Sequence, residues 1–235
     1  MNVQLKFPNG EVKTIQSYSL PDSQNYPLDL KMLKYFNLNR PGFFVEVGAN
    51  DGVTQSNTCM LERFFGWRGL LVEPCIENFN KCKSSRHPDN IFVYGALVSS
   101  NSIQTIKGDF EANSNQVDYD SLMNSINGTR KESKNKDIEV PAFTLSDIVH
   151  TNNISRIDFM SLDVEGYELE VLKGIDLAAD WAPKIFLIEL YPNEFKEVCD
   201  LLLPYYKLEC NLSSYSKQSN PHWTLHNDYL FIRHE

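Results

Sequence analysis

The sequence predicts an α/β chain built on one doubly wound sheet of seven strands, mostly parallel, with an antiparallel C-terminal strand at its edge. Three observations predict it. Short apolar runs alternate with helical stretches from residue 43 onward. Those runs are apolar nearly throughout, as strands covered on both faces must be. The last two runs, 206–212 and 229–233, follow each other with no helix between them, which suits an antiparallel hairpin.

The elements follow in order. Residues 1–26 read as an arm with turns at Pro8-Asn9-Gly10 and Pro21-Asp22. Leu28, Leu30, Leu33, Tyr35 and Phe36 lie on a helix that stops before Pro41-Gly42. Strands are expected at 43–47, 68–73, 91–98, 157–162 and 184–190. Helices are expected at 56–65 with Ser56 as N-cap, at 75–83, at 167–173 ending on Gly174, and at 193–202. Residues 109–137 are polar and Asn/Ser-rich, an insertion that is either solvated or a lid over substrate. Order returns over 138–150, with Leu145 and Ile148 on a short helix capped near Thr144. The domain division is therefore an arm and helix over 1–40, then one domain over 41–235 interrupted by the insertion.

Composition narrows the function. With 31 acids against 22 bases the net charge is −9, which leaves no electrostatic footprint for nucleic acid or an anionic membrane. The first residues lack an apolar signal core, and no apolar run is long enough to span a bilayer. The five cysteines are scattered without paired metal spacing, so a cytoplasmic chain with reduced structural thiols is expected. The Asn-x-Ser/Thr triplets at Asn127, Asn153 and Asn211 are then chance matches.

Ligands of doubly wound sheets bind beyond the carboxyl ends of the strands, and the chain has three features there. Gly48 and Gly52 bracket Ala49-Asn50-Asp51 directly after the first central strand, and a helix follows. Small residues allow close backbone approach, and the helix start favours an anionic group. No Gly-Lys-Ser/Thr follows, so this is not a phosphate loop, and the G-x-G-x-x-G dinucleotide turn is also missing. The same turn would serve equally as a plain strand–helix connection. Second, Glu73 ends an otherwise buried run, where a carboxylate can accept both ribose hydroxyls of a nucleoside. Gly95, Ala96 and Leu97 end the next strand with small residues, as an adenine slot requires. Third, Asp163 and Glu165 sit at the end of a central strand, candidates for base or metal work or else simple caps of the next helix.

Together FVEVGANDG, SNT, LLVEP, IDFMSLDVEGYELEVLKGI and IFLIEL resemble the FkbM family of S-adenosylmethionine-dependent methyltransferases. The resemblance runs over roughly residues 40–233 apart from the insertion, and DVEGYELEVLKG is its most specific part. It implies the Rossmann-like class I methyltransferase fold and O-methylation, commonly of a sugar or polyketide hydroxyl, with a deoxyhexose such as rhamnose on a glycan as one acceptor. One departure is that Glu46 stands where the family often has Asp. By position, Glu46, Gly48, Asn50, Asp51 and Gly52 would hold the methionine part of the cofactor, helped by Ser56 and Asn57. Glu73 would hold the ribose, Ala96 and Leu97 would flank the adenine, and Asp163 would stand nearest the sulfonium and the acceptor.

A sugar hydroxyl is a very weak acid, so its methylation needs a base or a cation. Magnesium or manganese on Asp163 and Glu189, at the ends of adjacent strands, would lower its pKa. Alternatively His222 takes the proton, from the 213–228 loop that also carries Trp223 and His226. His226 can equally cap the last strand, and Trp223 can pack as a lid. Two other classes stay open at this point. One is a catalytically inactive nucleoside-binding relative; the other is a dinucleotide-dependent oxidoreductase on a related sheet. The expected partner is a small-molecule or glycan hydroxyl acceptor, and the N-terminal arm is available for a homodimer.

Overall fold

A computed structural model describes residues 1–6, 10–110, 138–216 and 226–235. His222, Trp223 and the insertion from residue 111 onward lie outside the described residues.

The N-terminal arm is a hairpin of β1 (Asn2–Lys6) and β2 (Val12–Gln16), where only turns were expected. α1 (Leu28–Met32) continues as a 3-10 turn, Leu33–Tyr35. There follow β3 (Phe43–Val47), α2 (Cys59–Phe65), β4 (Arg68–Glu73), α3 (Ile76–Ser85) and β5 (Ile91–Tyr94). A small accessory sheet is made by β6 (Ala96–Leu97), β7 (Thr105–Gly108) and β8 (Ile138–Phe143). The chain continues through α4 (Leu145–Thr151), β9 (Phe159–Leu162), α5 (Glu168–Lys173), β10 (Ile185–Leu190) and α6 (Pro192–Leu202). It ends with β11 (Tyr206–Asn211) and β12 (Asn227–Arg233).

The main sheet has seven strands in the order β11-β12-β10-β9-β3-β4-β5. β3, β4, β5, β9 and β10 run parallel, and β12 runs antiparallel between β10 and β11. Because β12 is reversed, its first residues meet the carboxyl end of β10: Glu189 lies opposite Asp228 and Leu190 opposite Asn227.

Two expectations are corrected. The run 91–98 is not one strand: it breaks at Gly95, whose φ is 149° and where a Cβ would lie 2.5 Å from the Pro141 carbonyl oxygen. The second half therefore leaves the main sheet and pairs with β8. The helix after the glycine turn begins at Cys59 rather than Ser56. Ser56 still accepts the Cys59 amide, at 2.9 Å, but it does so from outside the helix.

The sheet divides the core by strand parity. Val45, Val47, Met160, Leu162, Phe186 and Ile188 pack against α4, α5 and α6 on one face. Phe44, Leu71, Phe159, Leu187 and Leu230 pack against α1 and α2 on the other. Continuing that second parity along each strand brings Glu46, Glu73, Asp163, Glu189 and Asp228 to the carboxyl edge on the α1/α2 side. The fold thus gathers its strand-end acids on one side of one edge.

Candidate active site

A pocket opens beyond the carboxyl ends of β3, β4 and β9. Its floor is the turn Gly48-Ala49-Asn50, with Glu73 and Pro74 on one wall and Asp163, Val164 and Glu165 on the other. Gly95, Ala96, Leu97 and Phe110 close the far end. The turn works because of its backbone. Gly48 has φ 80° and Asn50 φ 49°, the left-handed region that favours glycine and tolerates asparagine. Both the Gly48 and Ala49 amides donate to the Val72 carbonyl at 3.1 Å, which turns the chain back over β4.

Glu73 is buried at the pocket wall, and its carboxylate accepts the Asn50 amide at 2.8 Å and the Cys75 amide at 2.9 Å. These bonds fix the plane of the carboxylate against the glycine turn. Ala96 and Leu97 lie where an apolar slot was expected, and Phe110 and Asn78 also line it. No local signal marks Asn78 on α3 or Phe110 as pocket residues; the break at Gly95 brings the latter in.

Glu46 lines the same pocket, yet its carboxylate is engaged inward. It accepts from the Ser56 hydroxyl at 2.9 Å, the Asn57 amide at 2.9 Å, the Thr58 hydroxyl at 2.7 Å and Arg86 Nη1 at 3.0 Å. Arg86 has no exposed side-chain area and also binds Glu62 at 3.0 Å and the Gly52 carbonyl at 3.0 Å. Glu46 is thus the centre of a buried network beneath the turn, and Ser56 belongs to that network. Asp51, Gly52 and Asn57 do not line the pocket. Asp51 caps its own loop, accepting the Val53 and Thr54 amides at 2.8 and 2.7 Å. Gly52 faces α3, where a Cβ would meet Arg86 Cγ at 2.8 Å. Asn57 donates to the Ser161 hydroxyl at 3.0 Å.

Beside the pocket, Asp163, Glu165 and Glu189 converge, each offering a carboxylate oxygen within 4.8 Å of the others. Asp163 is shared between the pocket wall and this cluster. His226 Nε2 stands 2.9 Å from Glu189 Oε1, and the Tyr191 hydroxyl donates to Glu165 at 2.9 Å. Burial, then the charges of Asp163, Glu165, Asp228 and Glu168, push Glu189 well above the usual carboxylate range. Burial and the Asp163 charge push Asp228 up to about 7.

The sign of the Asp228 shift makes a prediction. An acid raised from its unfolded value near 3.8 to about 7 favours the folded state while protonated. That stability is full below about pH 4 and is lost as pH rises through 7. Asp228→Asn should therefore lose less stability than the wild type between pH 5 and pH 8, measured by urea denaturation in chelator. Parallel pH profiles for the two chains would refute the shift.

The sequence itself settles the family. The profile of the methyltransferase FkbM domain matches residues 46–213. The chain belongs to the FkbM methyltransferase family. Its sheet order and terminal antiparallel strand are those of the class I methyltransferase fold expected above. Family membership makes it a methyltransferase and implies S-adenosylmethionine as its cofactor; the dinucleotide oxidoreductase alternative falls. No curated protein sequence matches the chain significantly. Among solved structures it is similar to the Methanococcus jannaschii fibrillarin pre-rRNA processing protein, at 13% identity over 99% of this chain and 82% of that one, TM-score 0.49. It is also similar to the CurJ carbon methyltransferase, at 8% identity over 88% of this chain and 52% of that one, TM-score 0.43. Among the described residues no helix is long and apolar enough to cross a membrane.

The pocket fits the family's cofactor on its own terms. A glycine that cannot carry a Cβ, an amide-anchored acid on the next strand and a small apolar slot suit a nucleoside bearing an amino acid tail.

Proposed function

We propose that the protein is an S-adenosylmethionine-dependent O-methyltransferase whose acceptor is a hydroxyl of a sugar, glycan or related small molecule. The observation that carries the reading is Asp163, which belongs both to the cofactor-side wall and to a cluster of three carboxylates. A hydroxyl needs its proton removed or its oxygen held by a cation, and acidic oxygens at the acceptor end supply either. A deoxyhexose such as rhamnose is an acceptor of this class.

The roles follow from position. Gly48 and Asn50 would receive the methionine part through the backbone, Glu73 the ribose hydroxyls, and Ala96 and Leu97 the adenine. S-adenosylmethionine brings an already activated methyl on its sulfonium. The chain has to set one acceptor oxygen in line with it and take that oxygen's proton. Asp163 would take that proton, and Asp163 and Glu189 would hold magnesium or manganese, which would lower the hydroxyl's pKa. The histidine role assigned to His222 falls outside the described residues; within them the imidazole beside Glu189 is that of His226.

Calorimetric titration with S-adenosylhomocysteine tests the cofactor site. The wild type should bind saturably, and Glu73→Ala should weaken binding by about a hundredfold or more, close to 2.7 kcal/mol. Absence of wild-type binding would end the reading. Binding without methyl transfer to any hydroxyl in a screen of sugars and polyols would point instead to an inactive relative.

A further inference from the structure

We propose that Glu165 completes a three-carboxylate site for a hard divalent cation with Asp163 and Glu189, and that Glu168 is its positioning residue. This deepens the cation-assisted reading above and rests on it.

Two independent observations support a cation. One oxygen from each of the three carboxylates lies within 4.8 Å of the others, a spread that a single ion with oxygen bonds of about 2.1–2.6 Å can bridge. Glu189 is 4% exposed, and its Oε2 has no hydrogen-bond partner among the described residues. A buried carboxylate oxygen without a donor is costly, and a metal ion removes that cost. The charges set against Glu189 do not help it: among the described residues Asp163, Glu165, Asp228 and Glu168 are all acidic, and His226 Nε2 lies 2.9 Å from its other oxygen.

Glu165 reaches the site by an unusual backbone. Its φ is 59° and that of Gly166 is 92°, two successive left-handed residues directly after Asp163-Val164. Glu168 holds them there. Its side chain has no exposed area, and its carboxylate accepts the Val164 amide at 2.8 Å and the Gly166 amide at 3.0 Å. Those two amides flank Glu165, so the clamp fixes its backbone from both sides. The Tyr191 hydroxyl then fixes its carboxylate at 2.9 Å. The three acids of Asp-Val-Glu-Gly-Tyr-Glu thus have distinct tasks: the first two bind, and the third shapes the turn. A carboxylate-only donor set selects magnesium, manganese or calcium over softer ions.

The experiment is calorimetric titration of manganese chloride into the full chain, with S-adenosylhomocysteine titrated in parallel. The wild type should bind one manganese ion that magnesium displaces. Glu165→Gln should weaken manganese binding by at least about tenfold. Glu168→Gln should weaken it by about ten- to a hundredfold while S-adenosylhomocysteine affinity stays within about twofold of wild type. That split distinguishes positioning from general loss of structure, and Glu168→Asp should restore part of the manganese affinity. Water-proton relaxation of manganese with the wild type alone keeps the test valid if a variant fails to fold. Cofactor-product binding without manganese binding overturns the cation site and leaves the methyltransferase reading standing. Zinc binding alone, with no response to manganese or magnesium, would place the ion on His226 and also overturn it. Failure to bind either probe ends both.

Discussion

Arg86→Ala is expected to lower stability by about 3–5 kcal/mol, the cost of removing one partner from a buried ion pair. The side chain leaves α3 at its C-terminal end and crosses beneath the glycine turn with none of its area exposed. It binds Glu46 and Glu62 at 3.0 Å each, the Gly52 carbonyl at 3.0 Å and the Thr58 hydroxyl at 2.9 Å, and it covers the Phe44 ring at 5.1 Å. Alanine would strand two buried carboxylates and a carbonyl, and would open a void over Phe44. The same loss frees the loop that carries Gly48 and Asn50, so cofactor affinity should fall with stability. Urea denaturation reads the first effect and calorimetry with S-adenosylhomocysteine the second. Because Arg86 and Glu46 share one network, Arg86→Ala combined with Glu46→Gln should cost clearly less than the two changes separately. Full additivity, or a loss below about 1 kcal/mol, would show that the network is worth no more than a surface pair.

That network shows where sequence reading stops. β3, β4, β9 and β10 are legible because strands buried on both faces must be apolar throughout, and Glu73 is legible because an acid interrupts such a run at its end. Glu46 is equally visible as an acid at a strand end, but its partner is not. Strand parity places it on the Phe44 face, toward α2 and α3, and this could have been read from the sequence. That the cation waiting there is Arg86 depends on where α3 ends in space. The same limit hides the break at Gly95, which lies against the Pro141 carbonyl on β8, far along the chain. It also hides the meeting of Glu189 with Asp228 and His226, which needs the reversed strand β12 to lie against β10. Asp163 and Glu165 are neighbours in sequence, so their candidacy is legible; the clamp by Glu168 is a feature of a turn whose left-handed residues include a glutamate.

Gly48→Ala should abolish measurable binding of S-adenosylhomocysteine and lower stability, while Gly52→Ala should lower stability with a much smaller loss of binding. Both glycines have φ near 80°, so both substitutions carry the same left-handed penalty of about 1–2 kcal/mol. Their surroundings differ. A Cβ at Gly48 would lie 1.9 Å from the Asp163 carbonyl oxygen, which is backbone and tied into the sheet by the Asp163 amide donating to Val47 at 3.2 Å. Relieving that overlap must part the ends of β3 and β9, the two strands whose loops form the floor and one wall of the pocket. The displacement would move Asp163 away from the turn, so the cofactor wall and the acidic cluster would be disturbed together. A Cβ at Gly52 would instead meet Arg86 Cγ, Cys82 Sγ and Ser85 Oγ at 2.8–2.9 Å, side-chain atoms on the far side of the loop. Overpacking there costs about 1–3 kcal/mol but does not enter the pocket. Equal losses of binding in the two variants would mean that the whole loop acts as one unit. Loss confined to Gly48→Ala would identify the close approach of the glycine turn to the Asp163 backbone as the element that shapes the cofactor site.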